Sequence, residues 1–252
     1  MKAKIALVFV LLFFPCMLAA QMPVSPTPFV TILPATPANL PQLDSATVEK
    51  FHPKAFILAN NSDRAVVAIS VQWTYTDSGG HPITNNSRSD SFMLVSNRAV
   101  ILPHSRLLVG PGTFLSEALA TEPHPGIPVE KLDGSRDREM SSGTDLAAKI
   151  DTIIFGDGEV VGPNSTHFDT EIQNRKMAAT GLAKQLRNAM ARGEDPKVTL
   201  NRIMESEPSR SDTLAFWQRR YARMMLLRFP RNFDGQLAAT EKLPEPPNFF
   251  RK

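Results

Sequence analysis

Val67-Ala68-Ile69-Ser70-Val71-Gln72-Trp73-Thr74-Tyr75-Thr76 is the stretch that decides how this chain folds. Large residues alternate with small or polar ones at period two. In a strand that places Val67, Ile69, Val71, Trp73 and Tyr75 on one face and leaves the other face wet. Upstream, Lys54-Ala-Phe-Ile-Leu-Ala-Asn60 is a short apolar run closed by the turn formers Asn60-Asn61-Ser62-Asp63. Downstream, Asp77-Ser78-Gly79-Gly80 supplies a turn, and 89–95, 99–103 and 107–109 read as three more short strands before Gly110-Pro111-Gly112 ends the pattern. Farther on, Gly156-Asp157-Gly158 separates the apolar runs 150–155 and 159–161, and Asp-Gly in that setting predicts a hairpin. The polar residues 120–148 read as a long loop. About seven strands with turn signals every 8 to 15 residues is the spacing of an antiparallel sandwich.

After Pro163 the period turns helical. Ile172, Ala179, Leu182, Ala183, Leu186 and Met190 share a stripe of a helix over about 168–192, stopped by Gly193. Asp195-Pro196 opens a short helix ending near Glu205, and Ser209 with Asp212 opens a third that runs to about Arg228.

The run from Phe56-Ile-Leu-Ala-Asn60-Asn61-Ser62-Asp63 through Val67, Val71, Trp73, Tyr75, Asp77 and Gly80 resembles the opening hairpin of small bacterial exported immunoglobulin-like sandwiches of the FxLyD type. The match covers about 27 of 252 residues. The long polar loop and the helical last third depart from that family. The resemblance implies a fold and a compartment, and no reaction. The expected fold class is α+β: an antiparallel immunoglobulin-like β-sandwich at 50–163, then about three C-terminal α-helices at 164–229. Residues 21–49, with six prolines and almost no charge, read as a spacer, and 230–252 as a disordered tail.

Residues 1–20 have the layout of a secretory signal peptide: Lys2 and Lys4, an unbroken apolar run from Ile5, then Ala19-Ala20 before Gln21. The run of 16 residues is shorter than the roughly 20 that span a bilayer, which favours cleavage over a retained anchor. The chain's one cysteine, Cys16, leaves with that segment, so a processed chain is disulfide-free. The expected location is the periplasm or the extracellular space of a bacterium. The N-x-S/T sequences at Asn60, Asn85 and Asn164 read as turn asparagines, glycan acceptors only in a eukaryotic setting.

A formal charge of +3 is too small a bias to imply nucleic acid, which export also disfavours. It hides a split: residues 21–165 hold 10 Lys+Arg against 15 Asp+Glu, and residues 166–252 hold 16 against 10. Among the five histidines no two lie close enough for H-x-x-x-H, and no C-x-x-C, G-x-S-x-G, phosphate-loop or dinucleotide fingerprint occurs. Gly156-Asp157-Gly158-Glu159 lacks the ligand spacing of a calcium loop and reads as a tight turn. No catalytic residue, metal, cofactor or small-molecule ligand is expected, and the chain reads as a non-enzyme.

The third helix carries the expected interaction surface: Trp217, Arg219, Arg220, Tyr221 and Arg223. Leu214, Trp217, Tyr221, Met224 and Met225 cluster on one side, with Arg219 and Arg223 opposite. Basic amphipathic helices with Trp and Tyr lie on anionic membranes or in partner grooves, whereas most amphipathic helices are simply half buried. The expected function is an exported, uncharacterised accessory or binding protein whose partner is another envelope protein or an anionic membrane surface. Two alternatives stay open: an envelope hydrolase with an unrecognised active site, and a peripheral membrane binder acting through residues 210–228.

Overall fold

In a computed structural model, residues 22–51, 54–92, 99–116, 143–206, 212–229 and 231–252 are described. Two antiparallel four-stranded sheets face each other. The first has the order β1 (Val30–Pro34), β2 (Phe56–Asn60), β5 (Arg106–Gly110), β6 (Thr113–Ser116). The second has the order β4 (Pro82–Asp90), β3 (Val66–Thr76), β7 (Thr144–Phe155), β8 (Val160–Val161). Phe56, Leu58, Ile69, Val71, Trp73, Tyr75, Leu107, Val109, Ile150 and Ile153 fill the space between them. The coarse expectation of an α+β chain built on packed antiparallel sheets therefore holds.

Period two works as expected on β3 for Ile69, Val71, Trp73 and Tyr75, all buried in that core. It fails at the strand's start. The register against β7 shifts between Val66 and Ala68, so Val66 takes the core position and Val67 turns to the other face. That other face is not wet along its length: Ala68 and Ser70 are fully buried, and only toward Gln72 and Thr74 does the strand open to solvent. What covers it is the start of α2 (Phe168–Ala191), whose Phe168 and Ile172 pack on Ala68, Ile154 and Val160.

Several expected boundaries need correction. Residues 21–49 are no mere spacer, since β1 pairs with the whole of β2 from Val30 opposite Asn60 to Pro34 opposite Phe56. The one proline of β1, Pro34, is tolerated because it ends an edge strand. The chain then covers the first sheet's outer face with a 3-10 turn (Pro37–Asn39) and α1 (Ser45–Phe51), burying Leu40 and Val48 against Ile57 and Leu108. The strand expected at 89–95 is β4 at Pro82–Asp90, so Asn85 lies in a strand and not a turn. The strand expected at 99–103 shrinks to one bridge, Ile101 to Val66. Gly110-Pro111-Gly112 does not end the sheet but turns β5 into β6, with Gly112 at φ 71°. Residues 144–148 of the expected polar loop belong to β7. Residues 1–20 and 120–142 lie outside the described part.

The helices are α2, α3 (Pro196–Glu205), α4 (Thr213–Arg228) and α5 (Phe233–Glu241). The first three match the helical periodicity, and Asp195 and Asp212 cap α3 and α4 by accepting from Lys197 N and Ala215 N. The fourth falls in the expected disordered tail, where Phe233, Leu237 and Leu243 join the core of the helical bundle. The chain end returns to the second sheet: Val160 N donates to Phe250 O at 2.8 Å and Phe250 N to Gly158 O at 3.1 Å. Gly158, at φ 96°, is fitted to this approach, because a Cβ there would stand 2.2 Å from Asn248 O.

Candidate interaction surface

α4 has two unlike sides. Inward, Trp217, Tyr221, Ala222 and Met225 pack with Ala178, Ala179, Leu182 and Leu186 of α2. The Tyr221 hydroxyl is buried with no hydrogen-bond partner among the described residues, and burial pushes its pKa up. Beside it Arg175 of α2, itself buried, pairs with the buried Asp90 of β4 at 2.9 Å and lies 5.2 Å from the Trp217 ring centre and 5.6 Å from that of Phe168. Arg88 of β4 pairs with Glu171 of α2 a turn away. These contacts fix α4 to α2 and α2 to the sheet.

Outward, Phe216, Met224 and Leu227 are 53%, 41% and 77% exposed. Arg220 and Arg223 are exposed between them, and Arg219 is half-buried. At about 100° per residue, Phe216, Arg220, Arg223, Met224 and Leu227 fall within an arc of roughly 100°, one stripe of the helix. α4 contains no acidic residue. Arg219, Arg220 and Arg223 make no ion pair or hydrogen bond among the described residues; Arg220 lies 5.1 Å from the Trp217 ring centre.

The expected site residues thus divide. Trp217 and Tyr221 belong to the bundle core, whereas Arg220 and Arg223 face solvent with Arg219 at the margin. Phe216, Met224 and Leu227 were not among the expected residues, and Met224 was placed on the wrong side. Apolar residues surround this helix, so hydropathy alone cannot say which of them are inside; the run of arginines 219, 220 and 223 was the usable signal.

Elsewhere the polar clusters serve structure. The buried Asp151 carboxylate accepts from Thr152 Oγ1 and from the N–H and hydroxyl of both Ser165 and Thr166, at 2.5–3.3 Å. Burial raises its pKa, but the Ser165 and Thr166 donors outweigh that and hold it below the usual carboxylate range. This ties the segment between β8 and α2 to the sheet. Asp157 and Glu159 both pair with Arg64, whose guanidinium lies 4.0 Å from the Phe155 ring centre, and Lys252 reaches Glu159 at 3.3 Å. The Arg64 bond is the chief cause that lowers the Glu159 pKa. Cations of the chain itself already occupy the carboxylates of the Gly-Asp-Gly-Glu turn.

Asn60 and Asn164 are buried turn and cap residues; Asn164 Oδ1 accepts from Phe168 N at the start of α2. The described histidines stand apart: His81 is 3.5 Å from Asp77, His104 is 2.8 Å from Asp63, and His167 is exposed before α2. His52 and His124 lie outside the described residues. Among those described, no group of three or more His, Cys, Asp or Glu is placed to hold a metal ion. Two shallow depressions occur, one of about 240 Å³ by Thr31, Asn61, His104 and Arg106, the other of about 460 Å³ between Met22–Pro26 and Ala147–Ile150. No described helix is long and apolar enough to cross a membrane.

No family model, curated protein or solved structure matches the chain. The reading of the surface therefore rests on its own chemistry.

Proposed function

We propose that the chain is an exported accessory protein, periplasmic or extracellular, that binds without catalysing and recognises its partner through the outward stripe of α4. The sandwich, immunoglobulin-like in this reading and akin to the FxLyD type, is the scaffold that holds the helical bundle. The observation that carries the proposal is the coincidence of exposed Phe216, Met224 and Leu227 with unpaired Arg220 and Arg223 on one stripe. Exposed large apolar side chains cost solubility, and they mark binding surfaces when they gather beside charge. Export is supported by the charge and hydropathy layout of residues 1–20 and by the lack of cysteine after Ala20.

Cleavage after Ala20 is the expected processing, so residues 21–252 are the form to test. This protein should co-sediment with native bacterial envelope preparations, and a Phe216→Ser, Met224→Ser, Leu227→Ser variant should stay in the supernatant. All three side chains are partly exposed and the ring contact they lose is that of Phe216 with Trp217, 5.4 Å between ring centres, so the variant should lose no more than about 1.5 kcal/mol and stay folded. A variant that pellets like the parent would remove α4 as the recognition surface.

A further inference from the structure

We infer that the ligand of the α4 stripe is an anionic lipid surface. The inference rests on α4 being the recognition surface and adds what that surface recognises.

Charge is the first argument. Among the described helices α4 is the long one with several arginines and no acid, and Arg219, Arg220 and Arg223 have no carboxylate partner among the described residues. Lys197 of α3 extends the positive field past the helix end, its Nζ 6.0 Å from the Phe229 ring centre. A surface of like character would repel this stripe, and a neutral one would leave its guanidinium groups idle. Layout is the second argument. Phe216 and Leu227 are eleven positions apart, so the apolar strip is about 16 Å long and lies along the helix axis with arginines interleaved. That is the pattern of a helix lying in the plane of a bilayer interface: apolar side chains enter the acyl boundary while arginine stems bend the charged heads back to the phosphates.

Shape is the third argument. The stripe is the convex side of a helix, and neither of the two depressions described above includes an α4 residue. A fluid surface moulds to a convex strip, whereas a protein partner must bring a matching groove. Finally, Trp217, Tyr221 and Met225 already anchor the helix to α2, so docking does not have to fold it.

The test uses residues 21–252 and two protein-free vesicle preparations, phosphatidylcholine alone and phosphatidylcholine with one part in four phosphatidylglycerol. The protein should bind the second in dilute buffer and ignore the first. An Arg220→Gln, Arg223→Gln variant should partition about 25-fold less, at roughly five-fold per arginine near an anionic surface. That gap should close at 1 M salt, where charges are screened beyond about 3 Å. The Phe216→Ser, Met224→Ser, Leu227→Ser variant should lose binding at both salts. Equal binding to both preparations, or binding that neither variant weakens, would overturn the inference. So would absence of vesicle binding. In that last case, α4-dependent co-sedimentation with native envelopes would leave the recognition surface standing with a protein groove as its partner, and loss of both would remove surface and ligand together.

Discussion

α2 and α4 are neighbours in one bundle and both carry several cations, but they use them differently. On α2, Arg175 meets Asp90 of β4, Lys176 meets Glu245 near the chain end at 2.8 Å, and Arg187 meets Glu241 of α5 through two bonds of 2.7 and 2.9 Å. Each of these cations ties the helix to a different part of the molecule. On α4, Arg219, Arg220 and Arg223 make no ion pair among the described residues, and of the three Arg220 alone lies over the Trp217 ring. A charge that closes the fold is no longer offered to a ligand; a hydrated, unpaired one is. The difference is supplied by the neighbours, because carboxylates at 90, 241 and 245 pair with cations of α2, whereas among the described residues none pairs with Arg219, Arg220 or Arg223 and Asp212 only caps the first turn of α4.

The sharpest way to break that comparison is to remove one partner on each side. Asp90→Ala takes from the buried Arg175 guanidinium its close partner and leaves only Glu171, 3.8 Å from Nε, and should cost about 3 kcal/mol of unfolding free energy in a denaturant titration. Replacing both, Asp90→Leu with Arg175→Met, should recover most of the loss, because an apolar pair needs no compensation. Arg220→Gln with Arg223→Gln should change stability by less than about 0.5 kcal/mol. If the α4 pair proved as costly as Asp90→Ala, its arginines would be structural and the contrast with α2 would collapse.

How much of this could be read beforehand depends on whether a feature is local. The β3 alternation, the Asp-Gly hairpin and the start of α3 at Asp195-Pro196 are set within a few residues, and each stands where the sequence pattern puts it. The bulge at Val67 is not local: it follows from the register with β7, some 90 positions on. The same holds for β1, whose proline-rich surroundings read as a spacer until β2 offers it an edge, and for α5, whose apolar residues acquire meaning only against α2 and α4. On α4 the cations were legible as a run of arginines. Which apolar residues face out was not, because Phe216 and Trp217, or Met224 and Met225, differ only by 100° of rotation about a helix whose neighbours the sequence does not name.

A smaller effect concerns how α2 is hung on the sheet. The Asp151 carboxylate is held below the usual range by the donors that tie down residues 165 and 166, so the folded state keeps it ionised where an unfolded chain would begin to protonate. Its stabilising contribution is present above about pH 4 and is lost as pH falls through the lower folded-state value. Asp151→Asn should cost about 1–3 kcal/mol at neutral pH, since an amide accepts fewer of these bonds. The variant should also lose stability less steeply on acidification. An unaltered acid limb would mean that carboxylates at Arg64, or those facing α2, dominate it.

The smallest effect lies on the inward side of α4 and tests whether that side is apolar packing alone. The Tyr221 hydroxyl is buried beside Arg175 and has no hydrogen-bond partner among the described residues. Tyr221→Phe removes the orphaned group and keeps the ring against α2, and should be neutral or stabilising by about 1 kcal/mol. Burial raises this phenol's pKa, with the Arg175 charge opposing, so the folded chain resists its ionisation. Above about pH 10 the unfolded chain releases that proton more readily and wild-type stability declines as pH rises; Tyr221→Phe should lessen that decline. A destabilised Tyr221→Phe would place a polar partner at the hydroxyl and make the α2–α4 contact more than apolar packing. A stable one, with vesicle binding unchanged, would confirm that the aromatic side of α4 holds the helix in place while the opposite side is left to bind.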